Sequence, residues 1–404
     1  MSARARNHVT DLRGLSRMAI DATTGLTDLA EALQSRIART PAALGGPLVA
    51  GAVHGISGLV YHSIRGVTRV VGGGIDAVLG GLSPLLGQME SSPAREALVA
   101  ALNGVLGDYL AETHNPLAIE MSLRRGARAL VLTPEALAKE FGPRPARLLV
   151  LAHGLCLSDL QWRRDGHDHG TALAHDVGAT AVYLHYNSGL HVSINGRAFA
   201  ERLQALCTAW PCGAGDFDLL AHSMGGLVAR SALHYGVAAG HAWPKRLRKL
   251  VFLGTPHHGA PLERGGHWIE ALLSVSGYSA PFVRLGRVRS AGITDLRHGS
   301  LLDEDWQGRS RFAHGLDLRT PVPLPNGVAG YAIAAHLGKH SDASKEHLLG
   351  DGLVPIASAL GHHADPRLAL GIPEERVWIA HETSHLDLLC KPAVYAQLRG
   401  WLTN

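Results

Sequence analysis

Charge and cysteine are both scarce in this chain. Lys, Arg, Asp and Glu make up 18% of the 404 residues, and 38 basic against 34 acidic side chains leave a formal net charge of +4. There is no long block of like charge, which argues against a nucleic-acid partner, since that needs a concentrated basic footprint. The four cysteines include no CxxC pair, which excludes a disulfide scaffold and a cysteine-based zinc site. Cys207 and Cys212 are near enough in sequence to pair in an oxidising compartment, but two ordinary helix-end cysteines are the simpler reading. The N-terminus, MSARARNHVTDLRGLSRMAIDATTGL, is basic but lacks a continuous apolar core followed by a small-residue cleavage site. No conventional secretory signal is therefore expected, and a cytoplasmic location is. What the chain does have is 46% hydrophobic residues, enough for one large core or a core with an accessory region.

The first third reads as that accessory region. Thr40 to Ile64, TPAALGGPLVAGAVHGISGLVYHSI, contains no Asp, Glu, Lys or Arg, yet its two histidines and five glycines weigh against a bilayer span. The favoured expectation is a helical, glycine-rich layer over residues 1–145, packed on the main domain or on a second copy of the chain. Reversible association with a membrane surface or another apolar particle is the alternative. Gly72, Gly73 and Gly74 are expected to divide helices. Ala94 to Thr113 carries apolar residues at helical spacing, and Thr133 is a candidate N-cap.

Near Arg147 the pattern changes. Short apolar runs (RLLVLAH, TAVYLHY, FDLLAHS, KLVFLGT) alternate with helix-length segments around Thr171 to His175, Arg197 to Ala209 and Gly226 to Tyr235. Such alternation predicts an α/β domain over residues 146–404, with a mostly parallel sheet covered on both faces. In LLAHSMGG, Ser223 falls between a strand and a helix, with the small residues Ala221 and Gly225 two positions to either side. One reading is a helix cap with glycines that permit the bend. The other is a sharp turn that exposes the hydroxyl and directs neighbouring N–H groups at a negatively charged oxygen.

His222 to Gly226 resembles the nucleophile elbow of the α/β-hydrolase superfamily, especially its lipase and esterase members, with Ala221 in place of the usual first glycine. The resemblance covers about residues 146–403. It implies Ser223 as nucleophile and, through LVLAHGL, an oxyanion hole from the backbone N–H groups of Leu155 and Met224. The base is expected on a late loop, where VWIAHETSHLDLL offers His385, with His381 as alternative. The acid is expected earlier, where LGDGLVP offers Asp351, with Asp342 and Asp365 as alternatives. Further segments, HGLCLSDLQW, YNSG and LGTPHHGAP, are similar to lipase-like serine esterases, including relatives of glycosylphosphatidylinositol inositol-deacylases. The similarity favours an apolar carboxylic ester as substrate and establishes no inositol lipid.

Residues 257–329 form a long insertion that reads as a cap over the site, although an external helical layer has the same composition. Trp268, Leu272, Leu273 and Phe282 are its candidate apolar contacts, and His257 and His258 are candidates for the pocket wall. No metal or cofactor is inferred. An amidase, peptidase or thioesterase with the same triad, or a non-catalytic binding protein, are the alternative readings.

Overall fold

The computed structural model describes residues 93–211, 213, 215–260, 290–308, 317–339 and 350–403. The expectations for Thr40 to Ile64, for Gly72 to Gly74, for Cys212, for Asp342 and for Trp268, Leu272, Leu273 and Phe282 of the cap lie outside the described residues. Cys207 is free.

Helix α1 runs over Pro93–Glu112, where helical spacing predicts it, and is followed by the short strands β1 (Ser122–Arg125) and β2 (Arg128–Ala129). Helix α2 (Pro134–Phe141) starts at Thr133, whose side chain accepts a hydrogen bond from the N–H of Ala136, with Pro134 in the first turn, where its missing N–H costs nothing. Strand β3 (Arg147–Ala152), the ribbon β4 (Arg163–Arg164) and β5 (His167–Asp168), helix α3 (His169–Asp176), strand β6 (Ala179–His185) and helix α4 (Val192–Ala209) follow. Strand β7 (Phe217–His222) leads into helix α5 (Met224–Ala238), then β8 (Leu247–Leu253), α6 (Ala291–His298), β9 (Ala329–Ala335), α7 (Ile356–Ala359), β10 (Val377–Ala380) and α8 (Pro392–Thr403).

Eight strands form one sheet in the order β10-β9-β8-β7-β3-β6-β1-β2. Strands β3 and β6 to β10 are mutually parallel, while β1 and β2 extend the edge antiparallel. All six residues of β7 are buried, as are the last five of β3. The apolar stretches Leu148 to Ala152 and Leu219 to Ala221 are what strands covered on both faces require, and each fully buried Leu or Val contributes roughly 1.5–3 kcal/mol. From β3 the chain moves to one neighbour, β6, and then crosses back to the other, β7, so the strand order reverses at β3. The crevice beyond the carboxyl ends of strands at such a reversal is where open α/β sheets bind ligands. Ala152, at the end of β3, stands in register with Ala221, near the end of β7. The turns that follow, one beginning at His153 and the other containing Ser223, are therefore neighbours. This is the α/β-hydrolase arrangement that the resemblance implies.

The sheet begins before Ala146, where the sequence pattern places the start of the domain. The segment SLRR carries a single apolar residue, too few to show alternation, yet Leu123 is 1% exposed and its strand pairs with β6. Arg124 binds Glu96 at 3.1 Å and the buried Asp159 at 3.3 Å. Helix α4 also begins earlier than the spacing predicts. Its first turns carry the small or polar residues Ser193, Asn195 and Gly196, all buried, where burial overrides propensity. Among the described residues, no helix is long and apolar enough to cross a membrane.

Candidate active site

Strand β7 ends at His222, and the chain reverses into α5 through one residue. Ser223 has φ 54° and ψ −128°, and its side chain makes no capping hydrogen bond. A non-glycine residue in such a conformation costs on the order of 1–3 kcal/mol and persists only where its surroundings hold it. Here the Ser223 N–H donates to the carbonyl of Leu253 on β8 at 2.8 Å, and its own carbonyl accepts from Gly226 at 3.0 Å. The hydroxyl thus does not serve as the helix cap. Gly225 is needed for close approach, since a Cβ there would lie 2.5 Å from the carbonyl oxygens of Ala152 and His153. The absence of a side chain lets α5 start directly against the end of β3.

The turn after β3 faces this corner. A Cβ on Gly154 would fall 2.8 Å from the Cβ of Ser223 and 3.3 Å from its Oγ, so the backbone at 154 lies beside the hydroxyl. Leu155 and Met224 are both fully buried. Neither backbone N–H has a hydrogen-bond partner among the described residues. Met224 opens α5, whose first N–H groups have no partner within the helix, and its dipole favours negative charge at this end.

Of the late residues, the structure joins Asp351 to His385. Oδ2 of Asp351 lies 2.6 Å from Nδ1 of His385, and both side chains are buried. The other carboxylate oxygen accepts the N–H groups of Leu353 at 2.9 Å and Val354 at 2.8 Å. With the carboxylate against Nδ1, that nitrogen carries the proton and Nε2 is left with its lone pair. The imidazole of His385 lies 4.8 Å from that of His222. His222 Nε2 donates to the carbonyl of His385 at 3.1 Å, which ties the histidine loop to the residue before Ser223. Burial, then the neighbouring His385, holds His222 well below the usual imidazole range, so it is neutral.

His381 stays at the end of β10, its ring edge-on to that of His336 at 5.6 Å. Its carbonyl accepts from Lys391 Nζ at 3.0 Å. Lys391 also donates to the carbonyl of Glu382 and the hydroxyl of Thr383 at 2.6 and 2.8 Å. That lysine, which nothing in the local pattern marks, pins the loop carrying His385. Asp365 pairs with Arg367 at 2.7 Å.

His257 and His258 sit in an arginine-lined cluster. Arg230 Nη1 donates to Nδ1 of His257 at 3.3 Å, and Arg319 Nη2 donates to Nδ1 of His258, also at 3.3 Å. Both imidazoles border a cavity of about 10 Å³, room for about one water. Burial, then Arg230, holds His257 well below the usual range. His258 is lowered to about 4 by burial and by Arg319.

Comparison with known proteins gives one family model, a domain of unknown function (DUF7379), matching residues 127–283. No curated protein matches the chain. Among solved structures, a mature Bacillus licheniformis lipase is 19% identical over 64% of this chain and 93% of its own, with a TM-score of 0.42. An α/β-hydrolase superfamily protein from Enterococcus faecalis is 16% identical over 64% of this chain and 91% of its own, with a TM-score of 0.38. A Pyrococcus furiosus esterase is 13% identical over 63% of this chain and 80% of its own, with a TM-score of 0.37.

Proposed function

We propose that the chain is a serine hydrolase that cleaves a carboxylic ester with an apolar acyl group. The observation that carries this reading is the buried Asp351–His385 pair, whose imidazole lies 4.8 Å from that of His222, the residue before a serine held in a strained strand-to-helix turn. Asp351 keeps the proton of His385 on Nδ1 and stabilises the imidazolium. Nε2 then takes the proton of the Ser223 hydroxyl as Oγ bonds to the substrate's carbonyl carbon. The electron pair displaced onto the carbonyl oxygen is held by the N–H groups of Leu155 and Met224. Collapse of this intermediate breaks the bond to the alkoxy oxygen, and His385 returns its proton to the departing alcohol. Water, deprotonated by His385, attacks the acyl-enzyme. The acid leaves and Ser223 recovers its proton.

The apolar acyl group follows from HWIEALLSVSGYSAPFVRLG, an insertion after β8 whose composition suits an acyl-binding cover. A chain-length series of p-nitrophenyl esters, run beside matched thioesters and peptide amides, tests the reading. It predicts the highest kcat/KM for an ester with a medium or long acyl chain. A preference for thioesters or amides would replace the ester assignment while leaving the triad.

A further inference from the structure

We infer that Tyr186 and Ser188, on the segment leaving β6, are positioning residues that hold the 153–156 turn so that the Leu155 N–H faces Ser223. The inference rests on the oxyanion role given to Leu155 above. The Tyr186 hydroxyl donates to the carbonyl of His153 at 2.9 Å, and its ring stacks on the His153 imidazole at 4.4 Å. The Ser188 hydroxyl accepts the N–H of Cys156 at 3.0 Å. His153 Nδ1 donates to the carbonyl of Gly154 at 2.9 Å. Burial and the nearby His185 lower His153 to about 3, so it is neutral and carries one ring proton, used in this bond. The carbonyls of His153 and Gly154 and the N–H of Cys156 are thus engaged on either side of a Leu155 N–H that has no partner among the described residues.

Cys156 has φ 60°, a left-handed conformation that costs a non-glycine residue roughly 1–2 kcal/mol. A turn of this kind needs an external hold, and Ser188 supplies one at the strained residue itself. The clamp is itself anchored. Asn187 donates to the carbonyl of Gly107 on α1 at 2.9 Å, and its own carbonyl accepts from Asn195 on α4 at 2.9 Å. Tyr186 and Ser188 are each 1% exposed, so the hydroxyls stand in a dry environment where a lost partner is not replaced by water.

The test compares Tyr186→Phe, Ser188→Ala and the double variant with the full-length wild-type chain. It measures ester kcat and KM, the rate of phosphonylation by a fluorophosphonate, and the melting temperature. A displacement of the oxyanion donor by a fraction of an ångström predicts a fall in kcat of about 10- to 100-fold, with KM within about two-fold. Phosphonylation slows by a similar factor but still runs to completion at Ser223. Because both hydroxyls hold one turn, the double variant falls by less than the product of the single effects. Ser188→Thr, which keeps the acceptor, recovers most of the loss, a result that simple packing damage would not give. Folded variants with wild-type kcat would overturn the inference. Should Tyr186→Phe not fold, the Ser188 pair alone decides. Failure of the underlying reading shows separately, as a wild-type chain that does not label at Ser223, and it too overturns the inference.

Discussion

Nδ1 of His385 lies 2.6 Å from Oδ2 of Asp351, while the other oxygen of that carboxylate is occupied by the N–H groups of Leu353 and Val354. The second contact fixes what an amide would do here. In Asp351→Asn the carbonyl oxygen stays on the two N–H groups, so the NH2 faces His385 Nδ1. That arrangement forces the imidazole proton onto Nε2, the nitrogen that must accept from Ser223. We expect kcat to fall by about 10³- to 10⁴-fold with the fold retained. Steady-state ester kinetics and circular dichroism on the purified variant check this. A loss under ten-fold would show that Asp351 is not the acid.

Gly225→Ala probes how closely α5 approaches β3. The added methyl meets the carbonyl oxygens of Ala152 and His153 at 2.5 Å, neither of which can move without shifting the sheet or the turn bearing Leu155. Destabilisation of about 1–3 kcal/mol is expected, together with reduced ester turnover. Urea denaturation measures the first; unchanged stability would contradict the packing described for this corner.

The beginning of the domain gives a third expectation. Leu123 is buried in β1 and Arg124 pairs with the buried Asp159, while α1 receives a hydrogen bond from Asn187. A chain starting at residue 146 loses all three, exposes the edge of β6 and is expected to aggregate. One starting at residue 96 keeps them and is expected to show a cooperative thermal transition. Light scattering and calorimetry distinguish the two, and a monodisperse, cooperatively melting fragment from residue 146 would count against this assignment.

Most of the sheet was legible because its central strands are buried on both faces and so spell continuous apolar runs. Ser223 could be placed in its turn because it directly follows a buried strand and has small residues on both sides, whereas Asp351 and His385, which the structure pairs, lie on loops beyond β9 and β10 and were readable through the resemblance. The edge strands were not, since SLRR offers one apolar residue and its arginine is stabilised by Asp159, 35 residues on. The hold of Tyr186 and Ser188 on the 153–156 turn was hidden for a related reason. The segment YNSG resembles esterase sequence, but that its tyrosine and serine close on the 153–156 turn depends on β6 and β3 being adjacent, which no local pattern states.

Acid should destabilise the fold. Burial holds His153 near 3 and His169 near 4, burial with a nearby arginine holds His258 near 4, and His222 and His257 also lie well below the usual value. Their native pKa values are below those of the unfolded chain, so the unfolded state binds more protons once the pH drops under about 6.5. Stability is then full above that pH and is lost as pH falls toward 4. Each buried site contributes up to about 1.4 kcal/mol per pH unit, less for the partly exposed His258. The melting temperature measured from pH 7.5 to pH 4.5 should fall steeply below pH 6. A flat profile would mean that these imidazoles are protonated in the native state.

The proposed mechanism requires Ser223 to act as a covalent nucleophile. Incubating the full-length chain with a fluorophosphonate and locating the adduct by peptide mass spectrometry tests it most directly. One adduct is expected, on Ser223, with ester turnover lost in proportion to labelling. Ser223→Ala should abolish both, with at least about a 10³-fold loss of kcat and an unchanged circular dichroism spectrum. Labelling at a different serine, or ester turnover that survives in Ser223→Ala, would contradict it.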